Sequence, residues 1–210
     1  MTSLLLLRSQ QPMNEDKFNR SMAKQKTHVD ASIAAASNEQ SLIVLLTGDG
    51  KGKSTSGFGM VMRALGHGQR VAVVQFIKGT QSSGEEVLLK QHFPEIPFFQ
   101  MATGFTWDNQ NHAADKAAAQ RTWSSACKLL GDPTLDVLLL DELTYMLSFK
   151  FLDEQEVLQA LRERSPKLSV IVTGRGGGAG LRELADTVSD VKNLKHAFEA
   201  GIKARPGIDF

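Results

Sequence analysis

The segment Thr47-Gly48-Asp49-Gly50-Lys51-Gly52-Lys53-Ser54-Thr55 follows an aliphatic run and opens a helix-like stretch. Glycines let backbone N–H groups approach phosphate oxygens closely, and a helix N-terminus adds positive potential there. Lys53 brings a cation to those oxygens, and the Ser54 hydroxyl suits a magnesium shell. The order strand, glycine-rich loop, Lys-Ser and helix predicts polyphosphate binding. One position departs from the usual pattern: Thr47 replaces the glycine expected five residues before the Gly52-Lys53 pair. The loop therefore starts effectively at Gly48, one residue short. A shortened loop can hold a polyphosphate differently, so γ-phosphate hydrolysis does not follow from it.

A second constellation lies in Leu138-Leu139-Leu140-Asp141-Glu142, where two carboxylates end a hydrophobic run. Beside a phosphate loop, acids at a strand tip recruit Mg²⁺ (or Mn²⁺), which keeps several waters and needs only one or two carboxylates. Either acid alone could instead cap the following turn. Phe105 and Trp107, in Ala102-Thr103-Gly104-Phe105-Thr106-Trp107, read on their own as core or rim packing. Lys78 follows the second aliphatic run and is a further candidate for approach to a nucleotide.

The elements that position these residues follow from the aliphatic runs. Leu42–Leu46, Val71–Ile77, Asp136–Leu140 and Leu168–Thr173 are continuous, with Phe98–Met101 a short third strand and Thr187–Leu194 a last one. Continuous rather than alternating runs suit strands buried on both faces. Between them, Gly57–Gly66, Asn109–Leu130 and Asp153–Arg164 read as helices, the last with Asp153 as N-cap and Glu156 at the capping-box offset. Strands alternating with helices imply right-handed crossovers and a parallel sheet. The expected fold is a three-layer α/β P-loop domain with a mainly parallel sheet over residues 41–210, its ligands at the carboxyl ends of the strands. Residues 1–40 read as an N-terminal arm, partly disordered or capping, with a helical piece near Asp30–Ala36.

Composition narrows the classes. The 210 residues carry 24 basic and 23 acidic side chains, a net charge of +1, which argues against a nucleic-acid or anionic-membrane partner. The single cysteine, Cys127, excludes an internal disulfide and a thiolate-rich metal site, and its helical setting suggests a small packing residue. The four leucines near the start are too few for a secretory or membrane segment. A cytoplasmic protein is expected. His67, between two glycines, reads as a helix C-cap; His112 and His196 lack partners at metal-ligand spacing. Arg162, Glu163 and Arg164 read as a solvated helix face.

The combination TGDGKGKST, VVQFIKG, MATGFTW, LLLDELTYM, VTGRG, ELADTVS and KHAFEAGIKARPGIDF resembles the P-loop type of ATP:corrinoid adenosyltransferase, from about Leu42 to Phe210. The resemblance implies a RecA-like P-loop fold, a homodimer, and transfer of the 5′-deoxyadenosyl group from ATP to the Co(I) of a corrinoid with release of triphosphate. It implies a transient electron donor such as a reduced flavoprotein. By motif, Gly48, Asp49, Gly50, Lys51, Gly52, Lys53, Ser54 and Thr55 hold the triphosphate, Lys53 as principal cation. Ser54 and Glu142 bind Mg²⁺ with Asp141 beside them, Arg175 is a charged group near the nucleotide, and Phe105 and Trp107 take the lower corrinoid face. Ser54 stands where threonine is common in the family, and Asp49 where asparagine is common, which adds a charge beside phosphate. Gly176–Gly180 replaces a more polar stretch and is expected to be a more flexible loop with fewer side-chain contacts. Family members use a segment like residues 14–36 to cover the corrinoid. A nucleoside or nucleotide kinase on the same scaffold is the main alternative, and a nucleotide-dependent binding module or nucleic-acid motor subunit a third.

Overall fold

A computed structural model describes residues 15–77, 82–101 and 112–210. Phe105, Trp107 and Lys78 lie outside the described residues. The chain divides into two compact units, with the boundary between Glu39 and Gln40. In the first, helix α1 (Glu15–Ala35) is longer than the Asp30–Ala36 piece expected from sequence, and none of its residues is buried. Its Glu, Lys, Gln and Ala content favours a helix without help from packing, and Lys26 pairs with Asp30 one turn on at 2.6 Å.

Among the described residues the second unit carries six strands: β1 (Ile43–Thr47), β2 (Val71–Gln75), β3 (Phe98–Gln100), β4 (Val137–Asp141), β5 (Ser169–Thr173) and β6 (Thr187–Asp190). They form one sheet in the order β3-β2-β4-β5-β1-β6, every pair parallel. Helices α2 (Lys53–Gly66), α3 (Gly84–His92), α4 (His112–Leu130), α5 (Leu143–Ser148), α6 (Glu154–Arg162) and α7 (Gly178–Leu184) supply the outer layers. Successive strand residues face opposite sides, so each aliphatic run feeds two cores. Val137 and Leu139 join Phe58, Val61 and Ala64 of α2. Leu138 and Leu140 join Ala119, Trp123 and Ala126 of α4, with Val157 and Leu161 of α6. This is the three-layer α/β architecture expected of a P-loop domain. Because β5 lies between β1 and β4, the phosphate loop and the acidic pair open into one crevice with a strand between them.

Four expectations are corrected. The last strand ends at Asp190 rather than Leu194, because the chain then turns to bond the loop after β1. Cys127 is exposed; the buried small residue is its neighbour Ala126, one residue or about 100° around the helix. Arg164 is not on a solvated face. The helix stops at Arg162, and the partly buried guanidinium donates to the carbonyls of Leu161, Leu168 and Ser41 at 2.9, 2.9 and 3.2 Å. Gly176–Gly180 is not a bare loop but the entry to α7. Positive φ at Gly176, Gly177 and Gly178 favours glycine there, and a Cβ on Gly180 would meet Leu158 at 2.7 Å, so glycine sets how closely α7 approaches α6. Asp153 caps α6 as expected, accepting from the N–H groups of Gln155 and Glu156 at 2.8 and 3.1 Å. His67 is the C-cap of α2, and His112 packs edge-on to Phe151 at 5.1 Å.

Candidate active site

The loop leaving β1 takes its shape from glycines in the left-handed region, φ +103° at Gly48 and +121° at Gly52. The Thr47 substitution has a structural reason: its buried hydroxyl donates to the Gly176 carbonyl at 2.6 Å, tying the phosphate loop to the segment after β5. A glycine could not make that bond. From the other side, residues beyond β6 brace the loop. The Gly50 N–H donates to Val191 O at 2.7 Å, and the Asn193 N–H donates to the Asp49 carboxylate at 3.0 Å. The second bond holds the Asp49 carboxyl below its ordinary range. The extra negative charge is thus spent on a backbone amide. A Cβ on Gly50 would fall 2.6 Å from the Lys192 carbonyl. Gly50→Ala is expected to cost about 1–3 kcal/mol of stability and to weaken ATP binding, which thermal melts with and without nucleotide will read.

Lys53, the first residue of α2, is buried, and its ammonium donates to Gly50 O at 2.7 Å, directly over the loop. Burial pulls its pKa down, with Glu142, Asp49 and Asp141 opposing the shift and Arg175 adding to it. Asp141 ends β4 fully enclosed. Thr173 Oγ1 donates to its Oδ1 at 2.6 Å and Gln75 Nε2 to its Oδ2 at 2.9 Å, and the Ser54 hydroxyl lies near enough to help stabilise the charged carboxylate. Burial raises the Asp141 pKa and these donors oppose the rise.

Glu142 differs in kind. Its backbone is left-handed (φ 60°, ψ 22°), an unusual conformation for a non-glycine residue that is held here by the Glu142 N–H bonding Thr173 Oγ1 at 3.0 Å. Its Oε2 is buried without a hydrogen-bond partner, and burial, then Asp141, push its pKa up to about 7. Space for it comes from Gly174 (φ +135°), where a Cβ would sit 2.2 Å from Thr144 Oγ1 and 3.0 Å from Glu142 Oε2. A buried, unpartnered carboxylate oxygen in the cleft that Ser54 also lines offers oxygen donors suited to a hard cation.

These groups share a cleft of about 490 Å³ that takes in the phosphate loop from Asp49 to Thr55, Asp141, Glu142 and Arg175. The sequence-predicted site residues with described positions line this cleft except Gly48, which packs against Asp190 and Val191 instead. Arg175 is exposed at the mouth, its carbonyl bonded by Thr144 Oγ1 at 2.8 Å. Lys51 is turned to Asp209 at 2.9 Å. Sequence reasoning missed the wall made by the C-terminal segment, where His196, Asp209 and Phe210 line the cleft. It also missed Gln75, although a lone amide in the VAVVQ strand is a visible signal. His196 accepts from the Phe198 N–H at 3.2 Å and caps the short helical turn Ala197–Ala200. Among the described residues no helix is long and apolar enough to cross a membrane.

The family model for ATP:corrinoid adenosyltransferase BtuR/CobO/CobP matches residues 39–210. The corrinoid adenosyltransferase of Escherichia coli (strain K12) is 50% identical over 198 residues, spanning 94% of this chain and all of the relative. Corrinoid adenosyltransferase CobA of Salmonella typhimurium is 48% identical over the same shares, and the Pseudomonas aeruginosa corrinoid adenosyltransferase is 43% identical over 96% of this chain and all of its own length. With the family model covering residues 39–210 and half the residues shared over 198 positions, this chain belongs to the ATP:corrinoid adenosyltransferase BtuR/CobO/CobP family.

Proposed function

We propose that the chain transfers the 5′-deoxyadenosyl group of ATP to the Co(I) centre of a corrinoid, releasing triphosphate, and that Gly48–Thr55, Lys53, Glu142 and Arg175 are the groups that do it. The observation that carries the assignment is the convergence of a buried ammonium on the loop with an unpartnered buried carboxylate oxygen across the same cleft.

The reaction forms a carbon–cobalt bond and breaks the C5′–O bond of ATP, whose electron pair stays on the departing triphosphate. The protein must therefore grip a leaving group of rising negative charge and leave C5′ open. Backbone amides of the glycine loop and the Lys53 ammonium bind that charge in a largely dry site, an electrostatic contribution commonly of several kcal/mol. In this role Lys53 exchanges Gly50 O for phosphate oxygens. Ser54 and Glu142 fit a Mg²⁺ or Mn²⁺ ion, with Asp141 fixing Ser54 through its hydroxyl. When bound, such an ion would supply charge neutralisation for the departing triphosphate. Holding C5′ and cobalt about 3–3.5 Å apart adds the entropic advantage of a near-attack pair. Lys51 and Arg175 stand at the mouth as exposed cations for the outer phosphate oxygens.

Phe105 and Trp107 are assigned by motif to the lower corrinoid face. There they would exclude an axial donor, leaving a four-coordinate Co(II) that accepts an electron more readily, since axial ligation tunes a metal's potential. Trp107→Ala is expected to lose far more activity with Co(II) corrinoid plus reductant than with chemically prepared Co(I). Equal losses in the two assays would remove the assignment. A homodimer, a reduced flavoprotein as electron donor, α1 as a cover over the corrinoid and a cytoplasmic location complete the proposal. A nucleotide kinase would use the same Lys53 and metal site. The two activities separate by product, since ³¹P NMR of the reaction mixture will show triphosphate for adenosyl transfer and ADP for phosphoryl transfer.

A further inference from the structure

A line of polar side chains runs from Asp141 across the carboxyl edge of the sheet to the surface of α3. Gln75 Nε2 donates to Asp141 Oδ2 at 2.9 Å, and Gln75 Oε1 accepts from Gln100 Nε2 at 2.9 Å. Gln100 Oε1 in turn accepts from the Lys90 ammonium at 3.0 Å, and Lys90 is held by Glu86 Oε1 at 2.7 Å. The direction of every bond is fixed from the outer end. An ammonium only donates, so it must meet the oxygen of Gln100. That turns the Gln100 amide nitrogen toward Gln75, and the Gln75 oxygen toward Gln100. The Gln75 nitrogen is then left to face Asp141.

On the other side, Thr173 Oγ1 accepts the Glu142 N–H at 3.0 Å, which commits its proton to Asp141 Oδ1. Asp141 therefore has an assigned donor on each oxygen, with Ser54 near enough to favour its charged form. None of this order is intrinsic to an amide. A glutamine whose neighbour does not fix it can flip and present oxygen to the carboxylate, which would repel it.

We infer that Gln75 is a positioning residue for the metal–nucleotide site, and that Lys90, through Gln100, sets the orientation in which Gln75 works. Gln75 is buried at the wall of the cleft; it acts by holding Asp141. Lys90 is a half-exposed residue of α3 whose ammonium also lies 5.2 Å from the Phe98 ring centroid, so the outer end of the line is stapled to β3. This inference rests on the proposed reading of Ser54 and Asp141 as part of the cation site.

The test is the affinity of the protein for Mn²⁺–ATP, followed by Mn²⁺ electron paramagnetic resonance, with thermal melting as a control. Wild type is expected to bind. Gln75→Leu, which keeps the volume and removes the donor, is expected to weaken Mn²⁺ binding about tenfold or more, the usual cost of losing a partner that orients a metal ligand. Lys90→Met is expected to weaken it about threefold to tenfold by the same route with Tm little changed, and Lys90→Arg, which still only donates, to retain wild-type affinity. In the Gln75→Leu background Lys90→Met should have no further effect, because the residue it orients is gone. Should Gln75→Leu fail to fold, Gln100→Leu replaces it in the cycle. Losses that simply add in the double variant, or Lys90→Met within twofold of wild type, would overturn the inference. Failure of wild type itself to bind Mn²⁺–ATP would instead remove the cation-site reading on which it stands.

Discussion

Lys53→Ala will lose about 10²–10³-fold in the rate of adenosyl transfer, the scale seen when one preorganised charge donor is removed from a dry site. The loss should fall on kcat as well as on the KM for ATP, since the ammonium meets its greatest partner charge as the C5′–O bond breaks. Lys53→Arg should rescue little. The ammonium sits in a buried slot 2.7 Å from Gly50 O, and a planar guanidinium needs more room than a point donor. The measurement is the rate of adenosylation of chemically reduced corrinoid under anaerobic conditions, with ATP varied. A Lys53→Ala variant within tenfold of wild type would take the loop out of the mechanism.

Glu142→Gln is the second large effect, and it changes function and stability in opposite directions. With no carboxylate to offer, the variant should bind the divalent cation roughly 100-fold more weakly, because magnesium sites of this kind depend on one or two anionic oxygens. Stability is governed by the same burial. The carboxyl has a folded pKa of about 7 against an ordinary 4.5, so between those values the folded state holds a proton that the unfolded state has released. The contribution is favourable below pH 4.5 and is lost as pH rises through 7. The cost to the metal-free wild type is on the order of 3 kcal/mol above pH 7. Glu142→Gln escapes that cost, so the metal-free variant should melt at a higher temperature than metal-free wild type at pH 8, with the difference shrinking toward pH 5. Wild-type Mg²⁺ affinity should fall about tenfold per pH unit below 7, where the cation must displace the proton. Calorimetry across pH 5–8, with and without Mg²⁺–ATP, reads both. A variant that melts lower than wild type at every pH would mean that Glu142 is not held as an unsatisfied charge.

These effects trace to features of very different legibility. The phosphate loop, the acidic pair and most strands follow from the chain itself, because aliphatic runs such as VLLL and SVIVT permit little besides a strand buried on both faces. Lys53, Asp141 and Glu142 are local consequences of where β1 and β4 stop. Thr47 is different. Read against the usual loop pattern it is a missing glycine; in the structure it is the tie to Gly176, far along the chain. The brace from Val191 and Asn193 is equally long-range, and no local pattern announces that residues after a short edge strand return to the loop after β1. Cys127 and Arg164 failed for a finer reason: adjacent helical positions point about 100° apart, and a helix ending two residues early turns an expected surface arginine inward. Gly176–Gly180 shows how a composition that suggests slack can serve close packing, since absent side chains let α7 lie against α6.

The most direct test of the whole account mixes purified protein anaerobically with Mg²⁺–ATP and stoichiometric Co(I) corrinoid. Loss of the Co(I) spectrum, appearance of a light-sensitive alkylcobalt spectrum and one triphosphate per carbon–cobalt bond are predicted. Persistence of Co(I) while ATP is cut to ADP would contradict it.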